Sequence, residues 1–503
     1  MKYQNPIIKG FHPDPSICRV DDTFYLVNSS FQFLPGVPIF SSKDLVNWMQ
    51  LGHCLTRPSQ LDMTGVECSM GIFAPTIRYH QGKFYMITTN VSLKDKSGKL
   101  VNFIVSTEDP LKGWSDPVVV DIEGIDPSFF FENGKTYIQY AILGRGIGQV
   151  EVNLETGELL SDIVIITTGS GGRDVEGPHM YRIGDYYYLL TAEGGTREGH
   201  MVTIRRGNSV WGPFEECPAN PILTNRDQSR QLLQNVGHAD LVDDAEGNWW
   251  LVALAVRSVK RRHHLGRETI LMPVTWNEEG WPVVSKGYAE IEMEVESLQE
   301  SKQLNMGLEK DDFNSDILGL KWNSLREFIN DLYSLTERPG FLALKASKDS
   351  LNDLGTTSFI GRRQEDFECE VITKMEFNPT KPYEEAGITI FGDRNHHFDL
   401  FLRDNKVVLR KTVSDMVIEN AEYANGNTRV YFKVSASKFE YKFFYSFDNI
   451  NYSLIDESYT RHLAIEVIDS KFAGAYIGMY ATGNGQDTDV KAYFDFFSYE
   501  NKE

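Results

Sequence analysis

The chain has 503 residues and a formal charge of −21, from 50 Lys and Arg against 71 Asp and Glu. That balance argues against nucleic acid or an anionic membrane as the main partner. With 41% hydrophobic and 12% aromatic residues the chain folds, and no apolar run approaches the roughly 20 residues of a membrane helix.

A length of this order allows two to four domains of ordinary size. The first ten residues lack the continuous apolar stretch of a secretory signal. Cys18, Cys54, Cys68, Cys217 and Cys369 form an odd set without CxxC spacing, as expected of structural thiols. Both features point to a cytoplasmic protein.

Five segments then repeat one design, a short motif and strand, a tight turn, and an aromatic second strand. They run Asp14-Pro15 to Tyr25, Ala74-Pro75 to Tyr85, Asp126-Pro127 to Tyr137, Gly177-Pro178 to Tyr188, and Ala239-Asp240 to Trp250. First and last residues are 11 positions apart in every case. Turns such as Asn133-Gly134 predict β-hairpins. Further strands, several followed by a Trp (Trp48, Trp114, Trp211), bring each repeat to about four. Such a unit cannot bury both faces alone, and closing the repeats into a ring removes the exposed edges.

The chain is therefore predicted to be all-β, with a five-bladed β-propeller over residues 1–297, a linker over 298–310 and a β-sandwich over 311–503. Alternation of Ile291, Met293 and Val295 predicts one last strand before the linker.

Inner strands of a propeller line its channel, and the repeat starts supply Asp14, Ala74, Asp126, Glu176 and His238. Three carboxylates and a histidine at matching places that differ from repeat to repeat form the pattern of a site grafted on a scaffold. Facing carboxylates suit glycoside hydrolysis, and crowding raises the pKa of one of them. A sugar pocket also needs aromatic platforms and donors, for which Phe31, Phe33, Phe73 and Arg267 are candidates. Each of these four is equally compatible with a core or surface position. An Asp-Pro pair is also a common turn cap, and His238 suits a metal ligand, an orienting group or a core histidine. Gly169 to Gly172 lacks the Lys-Ser/Thr of a phosphate loop and instead lets the chain approach the pocket before Glu176. His263-His264 reads as a loop at the channel mouth, with too few ligands for zinc.

Several stretches together resemble glycoside hydrolase family 43. They are Asn5-Pro-Ile-Ile-Lys-Gly-Phe-His-Pro-Asp14-Pro-Ser, Gly71-Ile-Phe-Ala-Pro-Thr-Ile-Arg78, Gly124-Ile-Asp126-Pro-Ser, Val175-Glu176-Gly-Pro-His and Gly266-Arg267-Glu-Thr. The resemblance is greatest to its two-domain β-xylosidases, which include α-L-arabinofuranosidases, and it covers nearly the whole chain. It implies that Asp14 is the general base, Glu176 the general acid, and Asp126 the carboxylate that orients the acid and raises its pKa. It places Arg267 on the sugar and His238 near the axis, beside a structural Ca2+ or a water cluster. The sequence departs at Phe73, where many relatives carry Trp.

The resemblance further implies inversion, with the two catalytic carboxyls roughly 6.5–9.5 Å apart. A loop of the sandwich would close one side of the channel. That favours exo release of xylose from short β-1,4-xylo-oligosaccharides, with α-L-arabinofuranosidase or a bifunctional enzyme as the alternative. An endo-arabinanase or a non-catalytic sugar-binding propeller fits less well. No cofactor is required, the expected partner is a neutral oligosaccharide, and a homo-oligomer is compatible with the family.

Overall fold

The computed structural model describes residues 2–92, 100–295, 308–468 and 472–502. It is all-β, with 3-10 turns only at Pro110–Lys112 and Thr460–Leu463 among the described residues. No helix among them is long and apolar enough to cross a membrane.

Five antiparallel sheets follow one another along the first part of the chain. Their leading strands include Ser16–Val20, Thr76–His80, Ile125–Glu132, Glu176–Ile183 and Leu233–Asp243, each hairpinned to the next strand in sequence. These five strands neighbour one another in a closed circuit, Ser16–Val20 lying beside both Thr76–His80 and Leu233–Asp243. The expected last strand forms as Glu292–Glu294 and pairs with Lys2–Gln4, tying the start of the described chain to the end of this part.

Asp240 is the hub of the circuit. Its side chain is fully buried and accepts from Ser16 Oγ (2.8 Å), Ile17 N (3.0 Å), both terminal nitrogens of Arg78 (2.8 and 3.0 Å) and Tyr181 Oη (2.5 Å). Arg78 also reaches His179 Nδ1 at 3.1 Å, which lies 2.9 Å from Ser128 Oγ. One polar cluster thus touches all five leading strands. Burial alone would raise the Asp240 carboxyl. Arg78, His179 and the donated hydrogen bonds outweigh it and hold the group well below the usual range.

The fifth repeat is out of phase by one residue from its sequence reading. Asp240 pairs with Val252, whereas Ser16 pairs with Val27 and Ser128 with Gln139. That register makes His238, and not Ala239, the counterpart of Asp14. The extra residue is absorbed in the hairpin loop, where Asp244 caps the backbone N–H groups of Glu246 and Asn248.

Of the stretch read as a linker, 298–307 lies outside the described residues. Its end is already strand, since Leu308–Asp311 pairs with Lys491–Asn501. The second part consists of two large antiparallel sheets. Ile388, Phe398 and Leu400 of one meet Val371, Phe432 and Phe494 of the other in a single core. Alternate residues Phe391 and Phe401 instead join Phe11, Phe31 and Phe33 of the first part. A strand apolar on both faces needs cover on both, and here the first part provides the second cover.

Candidate active site

Asp14, Phe31, Phe73, Asp126, Glu176, His238 and Arg267 all line one cavity of about 620 Å³. Phe33 does not. It is fully buried and stacks on Tyr476, centroids 3.7 Å apart, in the contact between the two parts. Its strand Phe33–Leu34 pairs with Ser324–Leu325, so this aromatic fixes the second part against the first.

Local backbone aims the polar groups. Asp14, Asp126 and His238 sit in the left-handed region, with φ of 53°, 55° and 48°, and so does Gly177 at 55°. The ladder shifts register between Ile125 and Ser128, between Glu176 and His179, and between Gly237 and Asp240. Bulges at these places turn side chains out of the pleat, at a cost in backbone strain typical of functional sites. Gly177 explains why the carboxylate of the fourth repeat is displaced. A Cβ there would lie 3.1 Å from the His238 ring, so the acidic residue comes one position earlier as Glu176.

Asp14 is 4% exposed and accepts from Ser29 Oγ at 2.5 Å and Arg267 Nη1 at 2.8 Å, with His238 Nδ1 at 3.9 Å. Arg267 is buried over Phe31 and Phe472, 5.4 and 5.7 Å from the ring centroids. Its Nε and Nη2 have no protein acceptor, which leaves two donors for hydroxyl groups of a ligand. Phe73 packs on Phe31 at 5.1 Å and completes an apolar wall.

Burial, followed by the charges of Asp126, Asp14 and Asp174, pushes the Glu176 carboxyl well above its ordinary range, with Arg267 opposing. Asp126 is also raised by burial. His238, the Gly177 N–H (3.1 Å) and Arg267 temper that rise, while Asp14 adds to it. Of the three carboxyls, Glu176 is therefore the one best placed to keep its proton.

The glycine-rich loop before Glu176 is held from below. Glu193, fully buried and paired with Arg205 at 3.0 Å, accepts from Ser170 N and Gly172 N. A Cβ on Gly172 would lie 2.9 Å from Glu193 Oε2, so the close approach requires glycine.

Ile465, Glu466 and Phe472 of the second part also line the cavity, as does His263. His263 Nδ1 lies 2.6 Å from Glu466 Oε1. Leu265 and Gly266 meet Gly474 backbone to backbone, where a Cβ on Gly474 would be 2.1 Å from Leu265 O. That contact sets Phe472 beside Arg267. Sequence reasoning missed Phe472 and Glu466, because no repeat or periodicity marks a loop that works from another domain, and it missed Asp174, which lies outside the repeated motif two residues before Glu176. Calcium takes six to eight oxygen ligands. Among the described residues no group of three or more His, Cys, Asp and Glu is placed to hold a metal.

The family profile described as Glycosyl hydrolases family 43 matches residues 3–282. The chain belongs to glycoside hydrolase family 43. A second profile, Beta xylosidase C-terminal Concanavalin A-like domain, matches residues 310–500. Family 43 folds as a propeller with a C-terminal β-sandwich here, in line with the two sets of sheets. A non-reducing end α-L-arabinofuranosidase of Bacteroides ovatus is 39% identical, covering 99% of this chain and 94% of that protein. A xylosidase/arabinosidase of Butyrivibrio fibrisolvens is also 39% identical, over 99% of both. A Bacillus subtilis β-xylosidase is 34% identical over 100% of both. Among solved structures, a xylan β-1,4-xylosidase of Bacillus halodurans superposes with a TM-score of 0.94 at 33% identity, covering 99% of this chain and 100% of that one.

Proposed function

We propose that this family 43 enzyme is an inverting, exo-acting β-1,4-xylosidase built on a five-bladed propeller, releasing xylose from the non-reducing end of short xylo-oligosaccharides. The observation that carries the reading is one cavity holding Asp14, Asp126, Glu176 and the two unpartnered donors of Arg267, with Phe472 and Ile465 of the second part on its wall. The closed circuit of five leading strands supports the blade count. Five free cysteines support a reducing, cytoplasmic setting.

In this reading Glu176 gives its proton to the glycosidic oxygen as the bond to the anomeric carbon breaks. Asp14, anchored by Ser29 and Arg267, takes a proton from the water that attacks the opposite face. Asp126 holds up the pKa of the acid, and Phe31 with Phe73 gives the sugar an apolar surface.

An α-L-arabinofuranosidase is the second reading, favoured by the name of the Bacteroides ovatus relative. Assays on an aryl β-xyloside, an aryl α-L-arabinofuranoside and xylotriose, with NMR of the first-formed anomer, separate the two. We expect faster xyloside turnover and α-xylose as the first product. First-formed β-xylose would exclude inversion, and arabinofuranoside preference would select the second reading.

Asp126→Asn removes a nearby negative charge that helps to keep Glu176 protonated. Activity depends on the protonated acid and is lost as pH rises through its pKa. The basic limb of the kcat profile is therefore expected to move to lower pH, and an unmoved limb would remove this role from Asp126.

A further inference from the structure

The residues on either side of His263, Arg262 and His264, line a second cavity of about 200 Å³ where the two parts of the molecule meet. Lys260 and Arg262 enter it from the first part, and Lys438, Phe439, Tyr459 and Arg461 from the second. No carboxylate lines it, in a chain whose net charge is −21. None of the four cationic side chains forms an ion pair among the described residues, although Lys and Arg elsewhere in the molecule are commonly paired.

Two of the four cations, all of them exposed residues, rest on aromatic rings. Lys260 Nζ lies 4.7 Å from the Phe439 ring centroid, and the Arg461 guanidinium 4.5 Å from that of Tyr459. Phe439 and Tyr459 nevertheless keep 48% and 53% of their surface exposed. Lys260 and Arg261 form the centre of a two-residue turn closed by Val259 N to Arg262 O (2.8 Å) and Arg262 N to Val259 O (3.1 Å). Their φ values of 52° and 61° are those that Asn-Gly adopts cheaply and long side chains do not. Strain of this kind clusters at ligand clamps. The local field is positive enough to act on its neighbour, since burial and then Arg461, Lys411, His396 and Arg262 lower the His462 pKa.

We propose that this cavity is a second ligand site, separate from the carboxylate cavity, and that it takes a monosaccharide-sized oxyanion, a sugar carboxylate or a sugar phosphate. Lys and Arg meet the anionic group through charge-assisted hydrogen bonds. The half-exposed rings meet the apolar face of the sugar. The volume has room for one such residue and not for a chain. This assignment is independent of the glycoside reading.

The test is calorimetric titration of the full chain with glucuronate, glucose 1-phosphate, inorganic phosphate and neutral glucose, at low and high salt. Saturable millimolar binding is expected for glucuronate or glucose 1-phosphate, weakened by salt and absent for glucose. The tighter of the two identifies carboxylate or phosphate as the source. K438S/R461S should weaken that binding by about tenfold or more, with Arg262→Ser as a second, milder variant. Asp14→Asn, in the other cavity, should leave it unchanged. Unaltered aryl xyloside turnover and melting temperature of K438S/R461S would show an intact fold. Binding of neither sugar anion, or equal binding by both cavity variants and the parent, would overturn the site. Inorganic phosphate binding as tightly as both sugar anions would overturn the sugar part of it.

Discussion

Glu176→Ala is expected to slow hydrolysis of xylo-oligosaccharides by roughly 10²–10⁴-fold, the usual contribution of a placed general acid. Aryl xylosides with good leaving groups should lose far less, because a departing phenolate needs little protonation. The direction follows from the site. Burial and the neighbouring Asp126, Asp14 and Asp174 raise the Glu176 carboxyl, so it carries a proton at pH values where an exposed glutamate does not. The acid form is the working form, and turnover falls as pH rises through this raised pKa. In the variant the residual activity on aryl substrates should lose that basic limb. Paired kcat/KM profiles on xylobiose and an aryl xyloside check both points. Equal losses on the two substrates, or a basic limb that survives the substitution, would take the acid role away from Glu176.

What the sequence disclosed and what it withheld have a common physical cause. The repeats are local, each a hairpin whose turn, alternation and offset lie within a dozen residues, so the all-β repeat design and the convergence of Asp14, Asp126, Glu176 and His238 could be read directly. The one-residue slip in the fifth repeat could not, because a longer hairpin loop leaves the aromatic pattern intact and moves only the pairing. Phe33 looked like a sugar platform because burial against a partner domain and stacking on a ligand call for the same residue. Only its contact with Tyr476 distinguishes them. Phe472 and Glu466 were invisible for the opposite reason. Their place in the cavity depends on the backbone contact of Gly266 with Gly474, which brings together positions more than two hundred residues apart.

Asp240→Ala should be the most destabilising single change in the first part, costing about 3–5 kcal/mol, as expected when one partner of a buried ion pair is removed. The loss has several components. The Arg78 guanidinium, with only 15% of its side chain exposed, would be left without a carboxylate. Ser16 Oγ, Ile17 N and Tyr181 Oη would each lose the acceptor that joins their strands to the fifth. Asp240→Asn keeps the shape and part of the hydrogen bonding but not the charge, so it should fall between the variant and the parent. The pH dependence distinguishes a paired carboxylate from simple packing. The Asp240 pKa is depressed in the folded state, so its contribution is fully present above the ordinary aspartate value of about 3.9. It is lost only as pH falls through the lower, folded-state value. Chemical denaturation of parent and Asp240→Ala should therefore show a constant stability gap from about pH 5 to 8, narrowing in stronger acid. A gap below about 1 kcal/mol at neutral pH, the worth of an exposed pair, would mean that the circuit of strands is held by its apolar packing and not by this hub.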